Sequence, residues 1–288
     1  MSKSVYEMVT EKIISQLESG VIPWEKPWTG AYNEAYNRIS KKSYSFINQM
    51  LLLHNGEYAT FKQWESLGGR IKKGEKSEIV VFWKPLPIEV QKEDGTKEIK
   101  QVPFLRYYNV FHISQVKGVE VLENERIKNI NPIEEAEKIL DAYINRENIK
   151  LIKELSNDAY YSPGRDLIHL PLIEQFNNVN EYYSTFFHEI THSTGHEKRL
   201  NRMEPGVKVA KFGNTEYSKE ELVAEIGAAN ILNILGIETI KTFRNSTAYI
   251  QSWLQVLKND AKFIVSASSK AEKAVKYILG ENKNESMI

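Results

Sequence analysis

The amino-acid sequence predicts an α+β fold in two parts, on three observations. Its 288 residues exceed the usual size of one domain, so two compact domains are the default expectation. The first half mixes short amphipathic helices with two long runs of β-branched and aromatic residues, whereas the second half is mostly helical in its periodicity, with one short hairpin. Around 122–132 the composition shifts to ENERIKNINP, and Pro132 opens a new helix. The expected domains therefore cover residues 1–127 and 128–288.

Taken in order, residues 4–19 carry Val5, Met8, Val9, Ile13, Ile14 and Leu17 at helical spacing, and Gly20 stops the helix. An aromatic and proline segment, IPWEKPW, follows, then a short helix near 46–54 and another ending at Gly68 and Gly69. RIKKGEKSEIVVFWKPL reads as a turn leading into a strand, and FLRYYNVFHISQV as a second strand. EVQKEDGTKEIKQV between them reads as a charged hairpin excursion with Asp94 and Gly95 at its tip. Beyond Pro132 the pattern gives a helix through IEEAEKILDAYINR and a hairpin over 159–171. A strongly apolar helix then ends near Gly195, and a helix runs from about Ser218 to Leu235. Two more, near 247–259 and 265–280, complete the chain.

Composition narrows the chemistry. The 38 Lys and Arg cancel the 38 Asp and Glu, so no whole-molecule field announces nucleic-acid binding, and any such site is local. The first 120 residues hold a slight basic excess, 17 Lys and Arg against 14 Asp and Glu. There is no cysteine, so thiolate ligands are excluded and any metal rests on His, Asp or Glu. No signal-peptide pattern opens the chain and no apolar run reaches membrane length, so the expected compartment is the cytoplasm, without membrane association.

His188-Glu189-Ile190-Thr191-His192 fits H-E-x-x-H. On a helix, residues four apart share a face, so both imidazoles can grip one ion, zinc by preference. Glu189 can then act as general base on a water whose pKa the metal lowers. Phe186, Phe187 and Ile190 mark this helix as buried, where unpaired His and Glu are costly. A catalytic zinc takes three protein ligands. His196 is the nearest further candidate in sequence, but it lies just past the helix stop. Glu221 is the favoured third ligand, with Glu225 one turn on to accept the free N–H of a ligand histidine. Alternatively, a capping box between Ser218 and Glu221 would hand the ligand role to Glu225. Tyr217 is a candidate for stabilising an oxyanion. In the zincin arrangement an antiparallel edge strand holds an extended peptide, and the hairpin 159–171 is placed to supply it.

In the first half, Trp24, Trp28 and Tyr44 interleave with Lys26 and Arg38, a mixture suited to stacking bases and neutralising phosphates, although the same residues also build cores. Arg70, Lys72, Lys73 and Lys76 form a basic turn around Gly74 that could meet phosphates or simply be solvated. It does not match the phosphate loop of nucleotide triphosphatases.

The ordered motifs PWEKPW, YSFIN, FKQWESLGGRIKKGEKSEIVVFWK, YYNVFHISQ, HEITHSTGHEKRL, EYSKEELVAEIGAA and AYIQSWLQVLKND resemble the ArdC-type antirestriction proteins over nearly the whole chain. The N-terminal domain of that family is shared with TraC-like plasmid primases. The resemblance implies a small α+β domain that binds single-stranded DNA, followed by a zincin-like metallopeptidase α+β domain. It also implies carriage on plasmids, phages or other mobile elements, with protection of incoming DNA from host restriction. Asn48 in YSFIN and Trp64 in FKQWESLGG join the expected DNA-contacting set on this basis. His112 stands where the family commonly has Asn. Two readings follow: a zinc hydrolase acting on an unidentified protein substrate or restriction component, or a non-hydrolytic single-stranded-DNA protector whose metal is structural.

Overall fold

The computed structural model describes residues 3–24, 34–91, 97–122, 131–203, 215–237 and 247–281. It opens with α1 (Val5–Glu18), started by a capping box in which Ser4 Oγ accepts from the Glu7 N–H and the Glu7 carboxylate accepts from the Ser4 N–H. Val9, Ile13 and Leu17 line its buried face. There follow β1 (Ala35–Asn37), α2 (Phe46–Leu51), β2 (Gly56–Ala59), α3 (Phe61–Ser66), β3 (Arg70–Ile71), β4 (Glu78–Gln91), β5 (Lys97–His112) and β6 (Val116–Lys117). Four strands form a sheet in the order β1-β2-β5-β4, with β1 parallel to β2 and the other pairs antiparallel; β3 and β6 pair separately.

The charged stretch expected to be a hairpin is one, and its two arms continue the flanking strands without a break. The β4–β5 ladder runs unbroken from Glu78 opposite Val110 to Gln91 opposite Lys97. Apolar Leu86, Ile88 and Val90 recur at every second position along β4, which is a strand period even where the intervening residues are polar or proline. The tip at Asp94 and Gly95 lies outside the described residues.

The second half comprises α4 (Pro132–Glu147), β7 (Lys150–Glu154), β8 (Tyr160–Ser162), β9 (Leu167–Pro171), α5 (Val179–Ser193), α6 (Thr215–Leu235), α7 (Thr247–Asn259) and α8 (Phe263–Leu279). Its sheet runs β7-β9-β8, with β7 parallel and β8 antiparallel to β9, so β8 is an edge strand. Among the described residues no helix is long and apolar enough to cross a membrane.

Two large apolar clusters hold the molecule together. One joins Val9, Ile13 and Met50 to Leu222, Ile226, Trp253 and Ile264, so residues from either side of position 127 enter a single core. The other packs Leu140, Ile168, Phe186 and Ile190 against Ile231, Leu235 and Ile278. Helix α6 contributes to both, which fixes its position from two sides.

Candidate metal centre

Two helices build the site. Asn178 caps α5, its side-chain oxygen accepting from the Glu181 N–H at 3.0 Å, and buried Phe186, Phe187 and Ile190 pin the helix to the core. One turn apart on that helix, His188 and His192 face each other with their Nε2 atoms 2.9 Å apart. Helix α6 brings Glu221 across: Oε2 lies 3.4 Å from His188 Nε2 and Oε1 lies 3.3 Å from His192 Nε2. Among the described residues these three side chains form the one group of potential ligands whose donor atoms lie within 4.8 Å of one another.

Close helix approach makes this possible. A Cβ added to Gly227 of α6 would stand 2.6 Å from Thr191 Cγ2 of α5, so only glycine fits there. The same helix begins at Thr215, which puts Ser218 inside it rather than at its cap; the Ser218 hydroxyl meets that of Ser252 at 2.5 Å. The capping-box alternative for Glu221 is therefore set aside, and Glu221 faces both histidines.

Carboxylates also stand behind the two imidazoles. Glu225 Oε1 lies 3.1 Å from His188 Nδ1, close but not aligned as a directed hydrogen bond, and Glu220 Oε1 lies 3.5 Å from His192 Nδ1. Arg202 fixes Glu220: its guanidinium donates to the Glu220 carboxylate at 2.8 Å, to Thr194 Oγ1 at 2.7 Å and to the Thr191 carbonyl at 2.9 Å. Burial lowers the His192 pKa, but Glu221 and Glu220 outweigh it and push the value up to about 10. Burial likewise raises Glu221, and the histidine charges override it and hold the carboxyl well below the usual range. Glu189 is buried here too, and its charge also bears on His192. Glu189, Glu221 and Glu225 thus gather three buried carboxylates beside the two histidines, chemistry suited to a divalent cation. The donor set of two imidazoles and a carboxylate, with further carboxylates behind the rings, fits such an ion.

Several expected site residues lie elsewhere. His196 is outside the ligand group; its Nδ1 accepts from the Lys198 N–H at 3.2 Å, closing the turn after α5. Tyr217 belongs to α6, but its side chain falls outside the described residues, as do Lys26 and Trp28. Three of the expected DNA contacts are core residues. Trp24 is buried edge-on against Trp253 at 5.4 Å, and Trp64 is fully buried with Nε1 donating to the Phe111 carbonyl at 2.8 Å. The buried Asn48 amide accepts from the Val81 N–H at 2.7 Å and donates to the Val81 carbonyl at 2.8 Å, securing β4. Their faces and polar atoms are turned inward, away from any base. Arg38 pairs with buried Glu57, and Tyr44 is half-buried. Arg70, Lys73 and Lys76 are exposed, whereas Lys72 is half-buried with Nζ donating to the Ser114 carbonyl at 2.6 Å. His112 does the work of a capping Asn: Nδ1 accepts from the Ser114 N–H at 3.2 Å and Nε2 reaches the Asn55 carbonyl at 2.8 Å. Sequence reasoning missed Glu220 and Arg202. Glu220 was signalled only by its place beside Glu221, and no spacing rule reaches Arg202.

Comparison with known proteins agrees with this architecture. Residues 3–111 match the N-terminal domain of the anti-restriction factor ArdC, and residues 137–270 match a zincin-like metallopeptidase family. Fold and site thus define a protein with an ArdC-type N-terminal domain followed by a zincin-like domain. The chain belongs to the ArdC antirestriction family. It superposes on the crystal structure of the antirestriction protein ArdC from plasmid R388 in its Mn(II)-bound form with a TM-score of 0.76 and 31% identity, covering 99% of this chain and 100% of that one. For the metal-free form the TM-score is 0.73 and the identity 33%, over 97% of each chain. A DNA primase TraC of Escherichia coli is 32% identical over 96% of this chain, which spans only 20% of the primase. The uncharacterised protein y4eC of Sinorhizobium fredii is 31% identical, with 93% and 89% covered.

Proposed function

We propose that this chain protects incoming DNA from restriction, its first domain binding single-stranded DNA and its second acting as a metal-dependent hydrolase. The observation that carries the hydrolase reading is the convergence of His188, His192 and Glu221 beside buried Glu189. A metal with a purely structural role needs no adjacent base. The three converging side chains would hold a divalent cation, zinc by preference. Manganese is a second choice, favoured by the Mn(II)-bound R388 relative. When bound, the ion would supply Lewis acidity and activate water.

The chain's own residues supply the rest. Glu220 stands behind His192 Nδ1 and is kept in place by Arg202, and Glu225 lies beside His188 Nδ1, where a small ring rotation on metal binding would bring it into a directed contact. Glu189 takes a proton from attacking water and returns it to the leaving amine. Edge strand β8 packs against α5, so an extended peptide of a restriction component could add to its open side. Exposed Arg70, Lys73 and Lys76 favour the DNA reading by offering charge to phosphates.

The alternative, a non-hydrolytic protector with a structural metal, separates cleanly in one experiment. Unmodified plasmid DNA is transferred into a restricting host that expresses wild type, Glu189→Gln or His188→Ala. The hydrolase reading requires Glu189→Gln to lose protection while retaining metal and DNA binding. Full protection by Glu189→Gln would establish the alternative instead.

A further inference from the structure

We propose that single-stranded DNA lies on the solvent face of the β4–β5 ribbon, stacked on Phe82, Phe104 and Tyr108 and neutralised by Lys84, Lys100 and Arg106. This rests on the reading that the first domain binds such DNA, and gives it a location. Strand β2 pairs with β5 only at Phe111 and His112, so outward from there β4 and β5 form a two-stranded ribbon. Phe82 stands opposite Arg106, Lys84 opposite Phe104 and Ile88 opposite Lys100, and residues two apart share a face, so all six named side chains line one side.

At its base the ribbon is anchored by its other side, which is itself exposed farther out. Val81 and Leu105 enter the shared core, and Trp83 meets Tyr6 edge-on at 6.3 Å. On the free side the Phe82 and Tyr108 rings are stacked at 4.5 Å and 3°, and the Arg106 guanidinium sits 5.7 Å from the Phe104 ring centre. Yet Tyr108 remains 55% exposed and Phe104 48% exposed. Large rings prearranged in strands but open to solvent mark a contact surface.

The chemistry selects the occupant. Aromatic faces interleaved with cations suit bases and phosphates together, and every base offers a face to stack. Among the described residues none of the three cations is paired with a carboxylate, and the carboxylate sharing this face beyond the core is Glu98, at the outer end. A protein partner covering the same face would have to strip water from those unpaired cations. Strand addition from a second copy is opposed by Pro85 and Pro87 on β4 and by Pro103 on β5, since strand prolines sit with their nitrogens toward the open edge and offer no donor there.

The test is fluorescence anisotropy of the full chain with a labelled oligothymidylate, on wild type, Phe104→Ala, Tyr108→Ala, Arg106→Gln and the double charge reversal Lys84→Glu with Lys100→Glu. Melting temperature and sedimentation coefficient are measured for each. Each lost ring should weaken binding about tenfold with melting unchanged, and Arg106→Gln should lower the salt slope by about 0.7. If either ring variant unfolds, the charge reversals, which touch only exposed side chains, must carry the same loss. Wild-type binding with every variant unaffected would overturn this location while leaving the DNA reading intact. Absence of wild-type binding would end both. Variants that change sedimentation and spare DNA affinity would show a protein contact and overturn the proposal.

Discussion

Gly227→Ala puts the geometry of the candidate site under the most direct mechanical strain. The new Cβ would stand 2.6 Å from Thr191 Cγ2 and 3.1 Å from Thr191 Oγ1. Carbon atoms rest about 3.5–4.0 Å apart, so roughly 1 Å must be found. Thr191 does not rotate away easily, because it is fully buried and its Oγ1 donates to the Phe187 carbonyl at 2.7 Å. Relief therefore comes from separating α5 and α6, which carry the two halves of the ligand set. Overpacking of this kind costs about 1–3 kcal/mol, and replacing a helical glycine by alanine returns about 1 kcal/mol, so the net loss of stability is at most about 2 kcal/mol. Metal affinity should suffer more, since ligand distances tolerate only about 0.2 Å, and a fall of roughly 10- to 100-fold is expected. Calorimetric titration with zinc and manganese, alongside urea unfolding of the metal-stripped protein, reads both quantities. Adding Thr191→Ala to Gly227→Ala removes the clashing atoms and should restore much of the affinity, a coupling that independent sites would not show. Unchanged metal affinity and a raised melting temperature in Gly227→Ala would refute the helix contact.

Three further outcomes follow from named contacts. Glu220→Gln removes the charge behind His192, so metal affinity should drop about 10- to 100-fold in competition with a chelator while the far-ultraviolet spectrum stays the same. Asn48→Ala leaves the Val81 N–H and carbonyl unanswered in the core; urea unfolding should show a loss of about 2–4 kcal/mol, and the folded fraction should bind single-stranded DNA as before. Asp166 is raised by burial but lowered more strongly by Arg199 and Tyr161, so its folded pKa lies below the ordinary value. Its contribution to stability is therefore present above roughly pH 4 and lost as pH falls through the lowered folded value. Urea midpoints measured on the acid side should fall more steeply for wild type than for Asp166→Asn, and parallel curves would contradict the pairing.

Much of the fold was legible because its signals are local. The apolar spacing from Val5 to Leu17, the Pro132 start and the four-residue spacing of His188 and His192 are each written in nearby positions. Glu221 was reachable because it lies one turn before Glu225 on a helix that follows the two histidines. What could not be read depends on partners distant in sequence. Trp24 and Trp64 have the composition of a base-stacking surface, and only Trp253 and the Phe111 carbonyl reveal them as core. Asn48 gives no sequence sign that it secures Val81, 33 residues away. Arg202 reaches Glu220 across 18 residues, including a segment outside the described residues. The hairpin around Asp94 and Gly95 was legible, but the exposure of Phe104 and Tyr108 on it was not, because composition alone does not say which rings a core covers.

The most direct test of the metal centre is elemental analysis of the purified full chain after loading with zinc or manganese and removal of free ion. Wild type and Glu189→Gln should each retain about one divalent ion per chain, and His188→Ala, His192→Ala and Glu221→Ala should each lose it. Retention of the full complement by the three ligand variants, or a wild type that holds none, would contradict the site built by α5 and α6.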